Sequence, residues 1–106
     1  MYVKVAGTPA QPQVSIEEHD DCTRLHVVTA ELDEATAGAV LDISGLGRPG
    51  TSGHVWLDIA ALRARSHSAA PDWPERFDAM IAYAERSGWL NPHGNLVAAH
   101  ITSATG

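Results

Sequence analysis

Hydrophobic residues alternate with polar ones near both ends of the chain and recur at helical spacing in between. Tyr2-Val3-Lys4-Val5 is a short β-like run followed by Pro9 and Pro12. Proline fixes φ and removes a donor, so residues 1–12 read as an N-terminal arm or an edge strand. From Gln13 to Ala30 the pattern predicts a hairpin. Val14 and Ile16 alternate with polar residues, His19-Asp20-Asp21 supplies the turn, and Thr23 to Thr29 forms a second strand rich in β-branched residues.

A helix follows, with Asp33 as its cap and Ala35, Ala37, Ala39, Val40 and Leu41 suited to it; Gly38 weakens the pattern. Residues 44–53 contain several glycines and Pro49 and read as a loop. His54 to Asp58 is a strand, and Ile59 to Arg65 either continues it or turns helical. The strongest signal spans Trp73 to Ser87. Trp73, Phe77, Met80, Ile81 and Ala84 fall on one side, Glu75, Asp78, Glu85 and Arg86 on the other. Asp72 and Glu75 resemble a capping box, Pro74 suits the first turn, and Gly88 and Pro92 end the helix. Asn95 to Thr102 is a last strand.

This order predicts an α+β fold with a mostly antiparallel sheet of about four strands and two helices on one face. A ferredoxin-like arrangement fits if Leu62 to Ser66 adds a strand. Residues 13–102 then form a single domain and 103–106 a tail.

Side chains alternate across a strand, which separates two sheet faces. Val14, Ile16, Leu25, Val27, Val55, Leu57, Ile59, Val97, Ala99 and Ile101 make an apolar set that should pack under the helix carrying Trp73, Phe77 and Ile81. The other set holds Ser15, Glu17, His19, Arg24, His26, Val28, His54, Trp56, Asp58, Leu96, Ala98 and His100. A solvated sheet face usually carries Thr, Lys, Glu and Ser, whereas this one mixes polar, ionisable and aromatic groups with a few apolar neighbours. Three readings compete for it: an ordinary solvent face with Trp56 partly covered by a loop or the N-terminal arm, a sheet-to-sheet homodimer interface, and a ligand cleft covered by the 44–53 loop.

Composition narrows the classes. The chain has 106 residues, a formal net charge of −6 and 19% charged residues. That balance disfavours nucleic acid, where Lys and Arg neutralise phosphate. Cys22 is the single cysteine, so an intrachain disulfide framework is excluded. No apolar run has a signal peptide's pattern or the ~20 residues that cross a bilayer, which leads us to expect a cytoplasmic protein without a membrane partner.

Few motifs carry chemistry. Gly45-Leu46-Gly47-Arg48-Pro49-Gly50 matches G-x-G-x-x-G by letter, but a helix precedes it and a strand follows, the reverse of a dinucleotide fold. Arg48 is then a cation on a loop, available to an anion. The histidine spacings match no zinc signature, and no metal or other cofactor is expected.

Acid–base chemistry asks only for an imidazole and an orienting carboxylate. The candidates are His26 or His54 with Asp58, while Arg24, Arg48, Trp56 and His100 would bind the substrate. The simpler reading of Asp58 is a helix cap. Trp73, Phe77 and Trp89 read as core and helix-end packing. The expectation is therefore a homodimer that binds a small organic ligand at the face bearing His, Trp and Arg. The alternatives are a cofactor-free isomerase, cyclase or lyase using a His–Asp pair, and a pure protein-interaction module.

Overall fold

In the computed structural model, which describes residues 1–51, 53–66 and 69–103, the two-residue period of Val3 and Val5 becomes strand β1 (Tyr2–Gly7). Reciprocal backbone bonds between Thr8 and Gln11 reverse the chain, and β2 (Pro12–Glu17) returns antiparallel to β1. The loop 18–25 then crosses the end of β1, and β3 (His26–Thr29) lies parallel on its other side. β4 (Gly47–Pro49), β5 (His54–Asp58) and β6 (Leu96–Ser103) complete the sheet, in the order β2-β1-β3-β6-β5-β4. β6 runs parallel to β3 and antiparallel to β5, which is antiparallel to β4.

The three helices are α1 (Glu34–Ile43), α2 (Ile59–Arg65) and α3 (Trp73–Arg86). α1 touches β1 and β2 at one edge and β4 at the other, so the sheet curls around it as a half-barrel. The odd-numbered residues of β1, β3, β5 and β6 point into the curl. Val3, Val5, Val27 and Leu57 are fully buried there with Val40, Leu41, Leu62 and Phe77. The expected strand phase therefore holds. Burying each of these large side chains stabilises by roughly 1.5–3 kcal/mol.

The expected architecture does not hold. Among the described residues six strands of mixed direction and three helices replace a mostly antiparallel sheet of four strands with two helices. One cause is β1. It is an interior strand, because Pro9 sits in the turn and Pro12 opens edge strand β2, leaving β1 itself free of proline. β2 consequently pairs with β1, and the expected β2–β3 hairpin does not form.

A second cause lies in the stretch expected to be only loop. A Cβ on Gly47 would stand 2.1 Å from the Trp56 carbonyl oxygen, so glycine is what lets β4 close on β5. A third is Asp58, whose side chain accepts the Ala61 amide at 2.9 Å and starts α2. Leu62 to Ser66 therefore supplies no strand, and the ferredoxin-like order is excluded.

α3 follows its apolar stripe, with Trp73, Phe77 and Ala84 buried. Asp72 makes no side-chain cap; it accepts from Arg76 Nε at 3.2 Å. The helix is fastened to the loop 18–25 instead. Trp73 Nε1 donates to the His19 carbonyl at 2.6 Å, and Arg76 donates to that of Asp20. The Arg63 guanidinium lies 4.9 Å from the Phe77 ring centre and pairs with Asp78, joining α2 to α3. No helix among the described residues is long and apolar enough to cross a membrane.

Gly38, the weak point of the α1 sequence pattern, has a packing reason. A Cβ there would lie 2.9 Å from Pro49 Cα, on the backbone of β4. Helix propensity alone favours Gly38→Ala by about 1 kcal/mol. The clash reverses the sign, and we expect the variant to be less stable by about 1–3 kcal/mol, read as a lowered urea midpoint.

Candidate functional site

The outward positions, even-numbered on β1, β3, β5 and β6 and odd-numbered on β2, fall into rows across the sheet. Glu17, Tyr2, His26, His100 and His54 share one row, over β2, β1, β3, β6 and β5. The Tyr2 and His26 rings stack with centres 5.3 Å apart, and His54 meets His100 edge-on at 5.3 Å. Sequence reasoning thus placed three histidines correctly on one face. Among the described residues, however, no three His, Cys, Asp or Glu side chains are grouped so as to hold a metal ion.

The expected acid–base pair is not assembled. Asp58 lies opposite Leu96, four positions along β5 from His54, about 13 Å at the usual rise of an extended strand. Its carboxylate is engaged as the cap of α2. His26 lies two strands away from β5, beyond β6. Trp56 points outward and is half-buried, opposite Ala98 on one side and Arg48 on the other, apart from the apolar core. Arg48 and Asp58 border a small recess of about 140 Å³ with Asp42 and Leu96.

The larger concavity lies at the end of the sheet where β3 begins. β6 starts four residues before its pairing with β3, and Leu96 to Ala99 therefore have no β3 partner. The segment after α3 runs alongside Leu96 to Ala98. Leu90 bridges to Val97, Ala98 N donates to the Trp89 carbonyl at 2.8 Å, and Asn91 N donates to that of Leu96 at 3.1 Å. Beside it, between α3 and the start of β3, lies a groove of about 510 Å³. Leu25, Met80, Ile81, Ala84 and Val97 give it apolar walls, while Thr23, Arg24, His26, His100 and Thr102 supply polar groups.

Tyr83 and Trp89 stand at this groove edge-to-face, with ring centres 5.7 Å apart. They are 58% and 48% exposed, although Trp89 was expected to pack at the helix end. Of the residues proposed from sequence, Arg24, His26 and His100 line the groove; His54, Trp56, Asp58 and Arg48 do not. Tyr83, Trp89, Met80 and Thr23 were missed. The available signal was Tyr83 beside the apolar stripe of α3, with a second aromatic just past the helix-ending Gly88.

The electrostatics of the groove centre on His26. Partial burial first, then the positive N-terminus and Arg24, hold its imidazole below the usual histidine value. His100 acts in the same direction and Glu18 opposes it. Tyr2 from β1 completes its surroundings. No family model, curated protein or solved structure matches this chain.

A histidine harder to protonate in the folded state than in the unfolded one makes folding weaker in acid. Its contribution is intact above the ordinary histidine range and is lost as pH falls through that range toward the lowered folded value. Urea midpoints measured at pH 7.5 and pH 5.5 should differ, and His26→Gln should reduce that difference. An equal drop in the variant would remove His26 from this role.

Proposed function

We propose that this protein binds a small organic anion with an apolar, aromatic body in the groove between α3 and the start of β3. The observation that carries this reading is the charge of the lining. In a chain of net charge −6, the groove's lining among the described residues includes Arg24, His26 and His100 and no Asp or Glu. An arginine can hold a carboxylate by two parallel charge-assisted bonds. Tyr83 and Trp89 offer ring faces and edges to a flat body, and Met80 can adapt to its outline. Apolar walls with a few convergent polar groups are the usual make-up of small-molecule sites.

A role in binding is favoured over His–Asp catalysis because, among the described residues, no carboxylate lines the groove to orient either imidazole. A second reading, the sheet-to-sheet homodimer, draws on a different observation: Trp56, Val28 and Ala98 lie outside the core on the outward face. Sedimentation at tens of micromolar tests it, with Trp56→Ala expected to shift any dimer toward monomer.

For the groove itself, 2-naphthoate and the uncharged 2-naphthamide are suitable probes in calorimetry. Bonds to charged groups contribute about 1.5–3 kcal/mol, so the acid should bind at least about tenfold more tightly than the amide. Arg24→Ala should abolish most of that difference. Equal binding of acid and amide by the unaltered protein would overturn the anion reading.

A further inference from the structure

The groove offers more donors than one carboxylate can accept. Arg24 stands where the loop 18–25 enters β3. His26 and His100 are register partners on the adjacent parallel strands β3 and β6, with Cα atoms about 4.8 Å apart. Among the described residues no hydrogen bond or ion pair engages these three side chains; the imidazoles make ring contacts, with Tyr2 and His54. Arg63, Arg65 and Arg76, in contrast, are committed to Asp78, the Ser44 carbonyl and Asp72. The threonine hydroxyls of the lining are also engaged, Thr23 with Asp21 Oδ1 and Thr102 with the Val27 carbonyl at 3.4 Å. Charge accumulates around His26. Its partial burial comes first, and then the N-terminal ammonium, Arg24 and His100 all disfavour its protonation, with Glu18 opposing them. A ligand with two negative charges therefore gains more here than a ligand with one.

We propose that the ligand of this groove is a flat aromatic phosphate monoester, its terminal oxygens held by Arg24, His26 and His100 and its ring by Tyr83 and Trp89. This rests on the anion reading of the groove and adds the chemistry of the head group. A carboxylate has two oxygens in one plane, and a guanidinium fork alone can occupy both. A phosphate monoester presents three acceptor oxygens and about −1.5 to −2 charges at neutral pH, which gives each of the three donors a partner. Tyr83 and Trp89 border the same groove, so ring and head group are accommodated together. Its volume of about 510 Å³ lies within the range of about 300–1,000 Å³ usual for small-molecule sites.

Calorimetry on the intact chain at pH 7.5 with 2-naphthyl phosphate, 2-naphthyl sulfate and 2-naphthoate tests this. The sulfate keeps the tetrahedral head with a single negative charge, and the carboxylate keeps that single charge on a planar head. The phosphate should bind at least about tenfold more tightly than either, the gain of one charge-assisted bond. His100→Ala, at an exposed strand position, should cut that preference to about threefold or less. A phosphate no tighter than the sulfate and the carboxylate, or a preference that survives His100→Ala undiminished, would overturn the phosphate proposal; with 2-naphthoate still bound more tightly than 2-naphthamide, the anion reading would stand. Equal binding of 2-naphthoate and 2-naphthamide would overturn both.

Discussion

Everything else in this fold depends on a single-sided sheet. β1, β3, β5 and β6 turn every second side chain toward the same interior, and a slip of one residue in any of them would drive histidine or lysine into the core. Val3, Val5, Val27 and Leu57 are fully buried, while their neighbours Tyr2, Lys4, His26 and Trp56 keep contact with solvent. The interior then needs a lid. α1 provides it by spanning from β1 and β2 to β4, an approach that requires the absence of a side chain at Gly38. Curl, helix position and strand phase are thus one solution to one burial problem.

Much of this was legible in the chain. Period-two runs located the core positions of β5 and β6, and the apolar stripe from Trp73 to Ala84 located α3 within a residue or two. The direction and neighbours of the strands were not legible, because local periodicity carries no information about which ladder a strand joins. β1 shows this best. Its four-residue alternation looks too weak for an interior strand. Two flanking partners, rather than intrinsic propensity, hold it in place. β4 was hidden for the opposite reason: Gly47 and Pro49 lower any strand propensity, yet the edge of a sheet tolerates proline and the close approach to Trp56 requires glycine.

The candidate site divides in the same way. That His26, His54 and His100 share a face follows from parity alone. Which of them meets another group depends on register, and register separates Asp58 from all three imidazoles. Trp56 was the obvious aromatic to choose, but the aromatics that border the large groove come from α3 and the segment behind it. Tyr83 and Trp89 lie six residues apart across a helix terminus, and the bridge from Leu90 to Val97, with the Asn91 side chain on the Leu96 amide, brings that segment beside β6.

The groove itself follows from unequal strand lengths. β3 has four residues and β6 has eight, so half of β6 must find partners elsewhere or leave backbone groups unsatisfied. Trp89 to Asn91 satisfy some of them, and the Asn91 side chain adds bonds to the amides of Asn95 and Leu96 at 3.0 and 2.9 Å. Three residues of irregular chain cannot fill the width of a strand together with the space under a helix. What stays open is bounded by α3 on one side and by the loop 18–25 on the other. That loop is fixed by Trp73 and Arg76, two residues of the same helix. Both walls of the groove are therefore referenced to α3, so its width is set by one rigid element instead of by two that could drift apart. Arg24 and His26 sit where this loop enters β3, which makes the ordering of the loop by α3 a precondition for any role the groove has.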